Sequence, residues 1–148
     1  MVVARLVRNW LPAFDAEIEH GGSLRDTLLG SARVMIATAL TPRALWLYRL
    51  VIAEIGRFPE LTLVMREAGA GAGTDRLARV MAAAGIADPI CAAEQFIALL
   101  LSVPQRRGLG LGRPLDAAEQ EVWAKRAVDL FLDGMPVSQG GAPTAEDA

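Results

Sequence analysis

Cysteine and histidine are almost absent: the chain holds one of each, Cys91 and His20. A single cysteine excludes an intrachain disulfide, and the two residues together cannot furnish an ordinary zinc ligand set; a reducing compartment, the cytoplasm, is expected. Long apolar runs are missing as well. The strongest, Val34 to Leu40 and Phe96 to Val103, have seven and eight residues, against the roughly 20 that a bilayer span requires. Asn9, Pro12 and Asp15 interrupt the N-terminal stretch that follows Arg5 and Arg8, which excludes a secretory signal. Basic excess is lacking too: 15 basic against 17 acidic side chains leave a net charge of −2, so the chain has no general attraction to nucleic acid.

What the sequence has is apolar aliphatic surface. Hydrophobic residues make up 53% of the 148 positions although aromatics are only 5%, and the mean hydropathy is +0.32. A chain of this length forms one domain and buries about two-thirds of its unfolded surface. The remaining apolar excess implies a second buried surface, a subunit interface or a ligand cavity.

Periodicity predicts an all-α fold of about seven helices, with no sustained strand alternation and no internal repeat. The first helix runs from about Val2 to Glu19, bent at Pro12, which cannot donate to the carbonyl of Arg8. Gly21 and Gly22 end it, and Ser23 with Asp26 resembles a capping box opening a second helix to about Leu40. Thr41-Pro42 starts the third, to about Gly56, so apolar on every face that it is expected in the middle of the bundle. A fourth runs from Pro59 to about Ala68. Gly69 to Gly73 reads as a connector before a fifth helix, capped by Thr74 and ending near Gly85. Asp88-Pro89 opens a sixth, to about Val103, with a loop from Pro104 to Pro114. Asp116 with Glu119 opens the last, to about Asp133, where Glu121 and Lys125 are spaced to pair. Residues 1–136 form one domain, and the small, polar, Gly- and Pro-rich tail over 137–148 is expected to be disordered.

Few residues suggest chemistry. Neither Gly69-x-Gly71-x-Gly73 nor Gly108-x-Gly110-x-Gly112 has nucleotide-fingerprint spacing or a preceding strand, so both read as loops. His20 sits at a helix end, where imidazole meets the last carbonyls. Cys91 reads as a small buried hydrophobe, and Arg106, Arg107 and Arg113 as a solvated loop cluster. Glu54 and Arg57, charges on an apolar helix, need partners: a local network or a ligand. No nucleophile and base are paired, no metal set or cofactor motif exists, and an enzyme is not expected.

Taken together, Leu47-Tyr48-Arg49-Leu50-Val51-Ile52-Ala53-Glu54 through Arg57-Phe58-Pro59-Glu60-Leu61, Glu67-Ala68-Gly69, Asp88-Pro89 with Ala92 to Phe96, and Arg126 to Leu132 resemble the C-terminal domain of TetR/AcrR-type transcriptional regulators, the AefR-like subgroup in particular. The resemblance implies an effector-sensing, dimerising domain whose last two long helices form a four-helix bundle with those of a second copy. On this sequence it implies a homodimer interface at Phe96, Leu99, Leu100, Val122, Trp123, Arg126 and Leu130. It implies a small, mostly apolar effector lined by Trp10, Phe14, Met35, Trp46, Arg49, Phe58, Met65 and Phe96, each of which could equally be ordinary core packing. It also implies a helix-turn-helix DNA-binding domain before the linking helix; Met1 stands where that helix starts, so DNA contact is expected only from a domain preceding this chain. A helical module that pairs with a full-length regulator is the alternative. The span from Thr74 to Asp88 is shorter than the resemblance leads one to expect.

Overall fold

The computed structural model describes residues 2–20, 22–66 and 71–134, apart from the side chains of residues 2–10, 64 and 65. The described residues form seven helices and no strand: α1 Val2–Glu19, α2 Leu24–Ala39, α3 Pro42–Glu54, α4 Leu61–Met65, α5 Gly71–Ala83, α6 Pro89–Gly108 and α7 Ala117–Asp133. The expected tail at 137–148 lies outside them.

Local chemistry explains most boundaries. The Ser23 hydroxyl accepts from the amide of Asp26 and donates to its carboxylate, a serine cap in which the acidic side chain orients the hydroxyl. Thr41 caps α3 by accepting from the amide of Ala44, and Asp116 and Glu119 make a reciprocal capping box at α7. His20 Nδ1 lies 2.9 Å from the carbonyl of Ala16, as its place at the end of α1 suggests. α5 closes with a Schellman motif: Ile86 N–H donates to Met81 and Gly85 N–H to Ala82, with Gly85 at φ +79°.

Four expectations are corrected. α6 does not stop at Val103 but continues through Pro104 to Gly108, carrying Arg106 and Arg107 in its last turn rather than in a loop. Its stop signal is Gly110, at φ +101°, where Leu111 N–H donates to Arg106 and Gly110 N–H to Arg107 in a second Schellman motif. α5 begins at Gly71, ahead of Thr74, so part of the glycine stretch is helical. A Cβ on Gly71 would lie 2.6 Å from the carbonyl oxygen of Arg66, so glycine is what lets the chain pass there. α4 is five residues long rather than running from Pro59, because the turn from Phe58 to Leu63 is closed by i to i+3 bonds.

The fourth correction concerns the middle of the bundle. That place belongs to α2, which packs against α1, α3, α6 and α7. Gly30, Ser31 and Ala32 are all buried on it, and their small side chains admit neighbours on several sides. α3 lies at the rim: Val51 is its one buried residue, while Trp46, Leu50 and Ile52 are exposed. Apolar composition all round does not centre a helix when a neighbour with smaller side chains allows closer packing.

The core gathers Phe14 from α1, Leu28, Ala32, Met35 and Ile36 from α2, Leu77 and Met81 from α5, Ala93, Phe96 and Leu100 from α6, and Val128 and Phe131 from α7. Phe96 and Phe131 meet edge to face with ring centroids 5.1 Å apart. No helix of the described residues is long and apolar enough to cross a membrane.

Candidate functional site

Two places carry functional potential: the apolar interior and the outer face of α6 and α7. Phe14, Met35 and Phe96, expected to line a ligand cavity, come together in the core, with Phe14 and Phe96 fully buried. Trp46 and Phe58 stand on the surface at 56% and 46% exposure. Arg49 is exposed as well, and its guanidinium donates 2.7 Å to the carbonyl of Leu109, tying α3 to the end of α6. The side chains of Trp10 and Met65 lie outside the described residues.

Among the described residues the buried polar side chains are Thr27 and Ser31, both on α2. Ser31 is fully buried, and its hydroxyl has no hydrogen-bond partner. Reading the sequence for charged and aromatic residues passes it over. The available signal was a hydroxyl inside an apolar stripe, three residues after Leu28 and four before Met35.

On the outer face, α7 presents Val122, Arg126 and Leu130 at successive turns, with Val122 57% and Leu130 61% exposed. Phe96 and Leu100 turn inward to the core of their own chain, and Leu99 and Trp123 are partly buried. The expected interface residues thus divide between the outward stripe and the packing beneath it. Cys91, expected to be buried, is exposed in the first turn of α6.

Charge ties the helices together at the surface. Arg33 grips Glu121 with two parallel hydrogen bonds, of 2.9 and 2.6 Å, and Lys125 lies 3.3 Å from the same carboxylate. Arg33 first and Lys125 after it hold the Glu121 carboxyl at about 2, well below its ordinary 4.5. Arg25 pairs with Asp129 at 2.5 Å. These two contacts set α2 and α7 antiparallel, because residues later in α2 meet residues earlier in α7. The clasp closes over a half-open cleft of about 110 Å³ lined by Arg33, Ile36, Ala117, Gln120 and Glu121. Arg76 of α5 forks onto Asp15 of α1 and lowers its carboxyl pKa. Arg113 donates through one guanidinium nitrogen to Glu119 and likewise lowers its carboxyl pKa. Glu54 has Arg57 3.8 Å away, and Arg57 in turn lies over the Phe58 ring, so these charges form a local surface group. No group of three or more His, Cys, Asp or Glu side chains among the described residues could hold a metal ion.

Among solved structures the chain resembles one described as a TetR-family transcriptional regulator from Mesorhizobium loti MAFF303099, with a TM-score of 0.76 and 24% identity, over 92% of this chain and 70% of that one. At this identity the likeness shows the fold, all-α and shared. No curated protein is significantly similar to the chain in sequence. The family model of the AefR-like transcriptional repressor C-terminal domain matches residues 26–134, which takes in all but the first two residues of α2, the whole of α3 to α7 and most of the chain. The chain therefore belongs to the family of AefR-like, TetR-type regulators, as their C-terminal domain.

Proposed function

We propose that residues 1–136 act as the regulatory domain of a cytoplasmic TetR-type transcriptional regulator. The domain pairs with a second copy through α6 and α7, and senses a small, mostly apolar effector between its helices. DNA contact comes from these residues' own chain only where a helix-turn-helix domain precedes them. The observation that carries the dimer is the outward stripe of α7: Val122 and Leu130, each more than half exposed, stand two turns apart on a helix whose opposite face is already packed. Apolar side chains so aligned on a long helix are what a symmetry mate covers.

The seating of α1 supports the sensing reading. Phe14 inserts into the core shared by α2, α5, α6 and α7, so a molecule entering that core changes the support under α1. Pro12, inside α1 and just before Phe14, is the place where the helix can bend. An effector that binds one seating of α1 more tightly shifts the population toward it, and α1 passes the change to whatever precedes it.

Sedimentation at micromolar concentration tests the pairing. The domain is expected as a dimer, and Leu130→Asp, at a position that supports no core contact, is expected to give folded monomers. A wild-type monomer overturns the interface. Co-purification with a longer chain in place of self-pairing points instead to a module that heterodimerises with a full-length regulator.

A further inference from the structure

We infer that the Ser31 hydroxyl is the polar anchor of a ligand site in the core, for a neutral, largely apolar molecule bearing one carbonyl or hydroxyl group. The inference rests on the sensing reading above and adds to it the residue that sets specificity and the chemical class of effector.

Buried hydroxyls in proteins are nearly always hydrogen-bonded, and leaving one unmade costs stability. A serine inside a helix has an easy remedy, the carbonyl one turn back. Ser31 does not take it: the side chain is fully buried and its Oγ has no partner. The other buried polar side chain, Thr27, stands one turn back on the same helix, and no hydrogen bond joins the two hydroxyls. Spacing puts it on the face of α2 that carries Leu28 and Met35, both core residues, in the cluster that includes Phe14 and Phe96. A buried hydroxyl left without a partner gives up stability in the unliganded domain and regains it when a ligand atom completes the bond.

The surroundings define that ligand. Serine donates and accepts, so a carbonyl and a hydroxyl both suit it. No buried side chain among the described residues is ionisable, so a charged group entering the core would find no counter-charge. Aliphatic and aromatic walls favour an apolar body. A site built to hydrogen-bond one group rejects the isostere that lacks it.

Phenol and toluene, which differ by a hydroxyl in place of a methyl, are the probe pair. Calorimetric titration of the wild-type chain is expected to show phenol preferred by about tenfold. Ser31→Ala is expected to abolish that preference, and Ser31→Thr, which keeps the hydroxyl, to retain it whatever it does to both affinities. The melting temperature of the unliganded Ser31→Ala chain is expected to equal or exceed that of the wild type, since an unmet polar group has been removed. If both probes bind and their ratio is the same in wild type and Ser31→Ala, the anchor is overturned while the sensing reading stands. An ordered water retained on Ser31 Oγ in phenol-soaked crystals overturns it likewise. If neither probe binds the wild type, the sensing reading falls and the anchor with it.

Discussion

The indole Nε1 of Trp123 donates a 2.9 Å hydrogen bond to the main-chain carbonyl of Leu100. That carbonyl lies four residues before Pro104, which has no N–H to offer it. A proline inside a helix normally ends or kinks it at a cost of about 3 kcal/mol, in part through this vacant acceptor. Here a side chain from α7 fills the vacancy, so α6 continues for another turn and is joined to α7 by the same bond.

A double-mutant cycle checks this relationship. Trp123→Phe removes the donor and leaves a carbonyl unmet, an expected loss of about 1–3 kcal/mol in urea unfolding. In a Pro104→Ala background the restored amide serves Leu100 instead, so the same Trp123→Phe change is expected to cost distinctly less. Equal costs in the two backgrounds would show that the indole and the proline act independently.

Acid stability is expected to follow the carboxylates that arginines hold down. Glu121 sits at about 2 in the folded chain against an ordinary 4.5. Asp15 and Glu119 are lowered in the same direction by Arg76 and Arg113. A depressed folded pKa means that the unfolded chain takes up protons first as pH falls. The stabilisation from Glu121 is therefore complete above about pH 5, erodes below about 4.5, and is gone near about 2. Urea midpoints across that window should fall more gently for Glu121→Gln, with the two proteins converging at the acid end. Because Glu121 is partly exposed, added salt should narrow the difference.

Two glycines should answer oppositely to alanine. At Gly71 a Cβ would press on the Arg66 carbonyl oxygen at 2.6 Å, and backbone cannot swing aside, so Gly71→Ala is expected to destabilise by about 1–3 kcal/mol. At Gly30 the obstacle is the carboxylate end of Glu17, an exposed and flexible side chain. Gly30→Ala is expected to be neutral or to gain up to about 1 kcal/mol from helix propensity. Thermal unfolding of the two variants beside the wild type separates the cases.

Much of the fold was legible in the chain, because caps and prolines act over three or four residues. Ser23, Thr41 and Asp116 each cap the helix that their neighbours announce, and Gly85 closes α5 through a conformation that glycine adopts without strain. Pro104 was misleading for the opposite reason: whether a proline ends a helix depends on what satisfies the abandoned carbonyl, and Trp123 is 23 residues from Leu100 along the chain. The stop at Gly110 was local and readable, yet the earlier proline masked it.

Composition and periodicity alone determined an all-α fold and the order of its helices, and an apolar excess on which the proposed second buried surface rests. Only the tertiary structure decided that α2 and not α3 is central, that Val122 and Leu130 face outward while Phe96 and Leu100 face in, and that Ser31 is enclosed without a partner. Helix formation is governed by neighbours within a turn or two, which a sequence displays. Burial is governed by which helices meet, and that is settled by side-chain volumes distant in the chain, such as the small, buried Ser31 and Ala32 on the central α2.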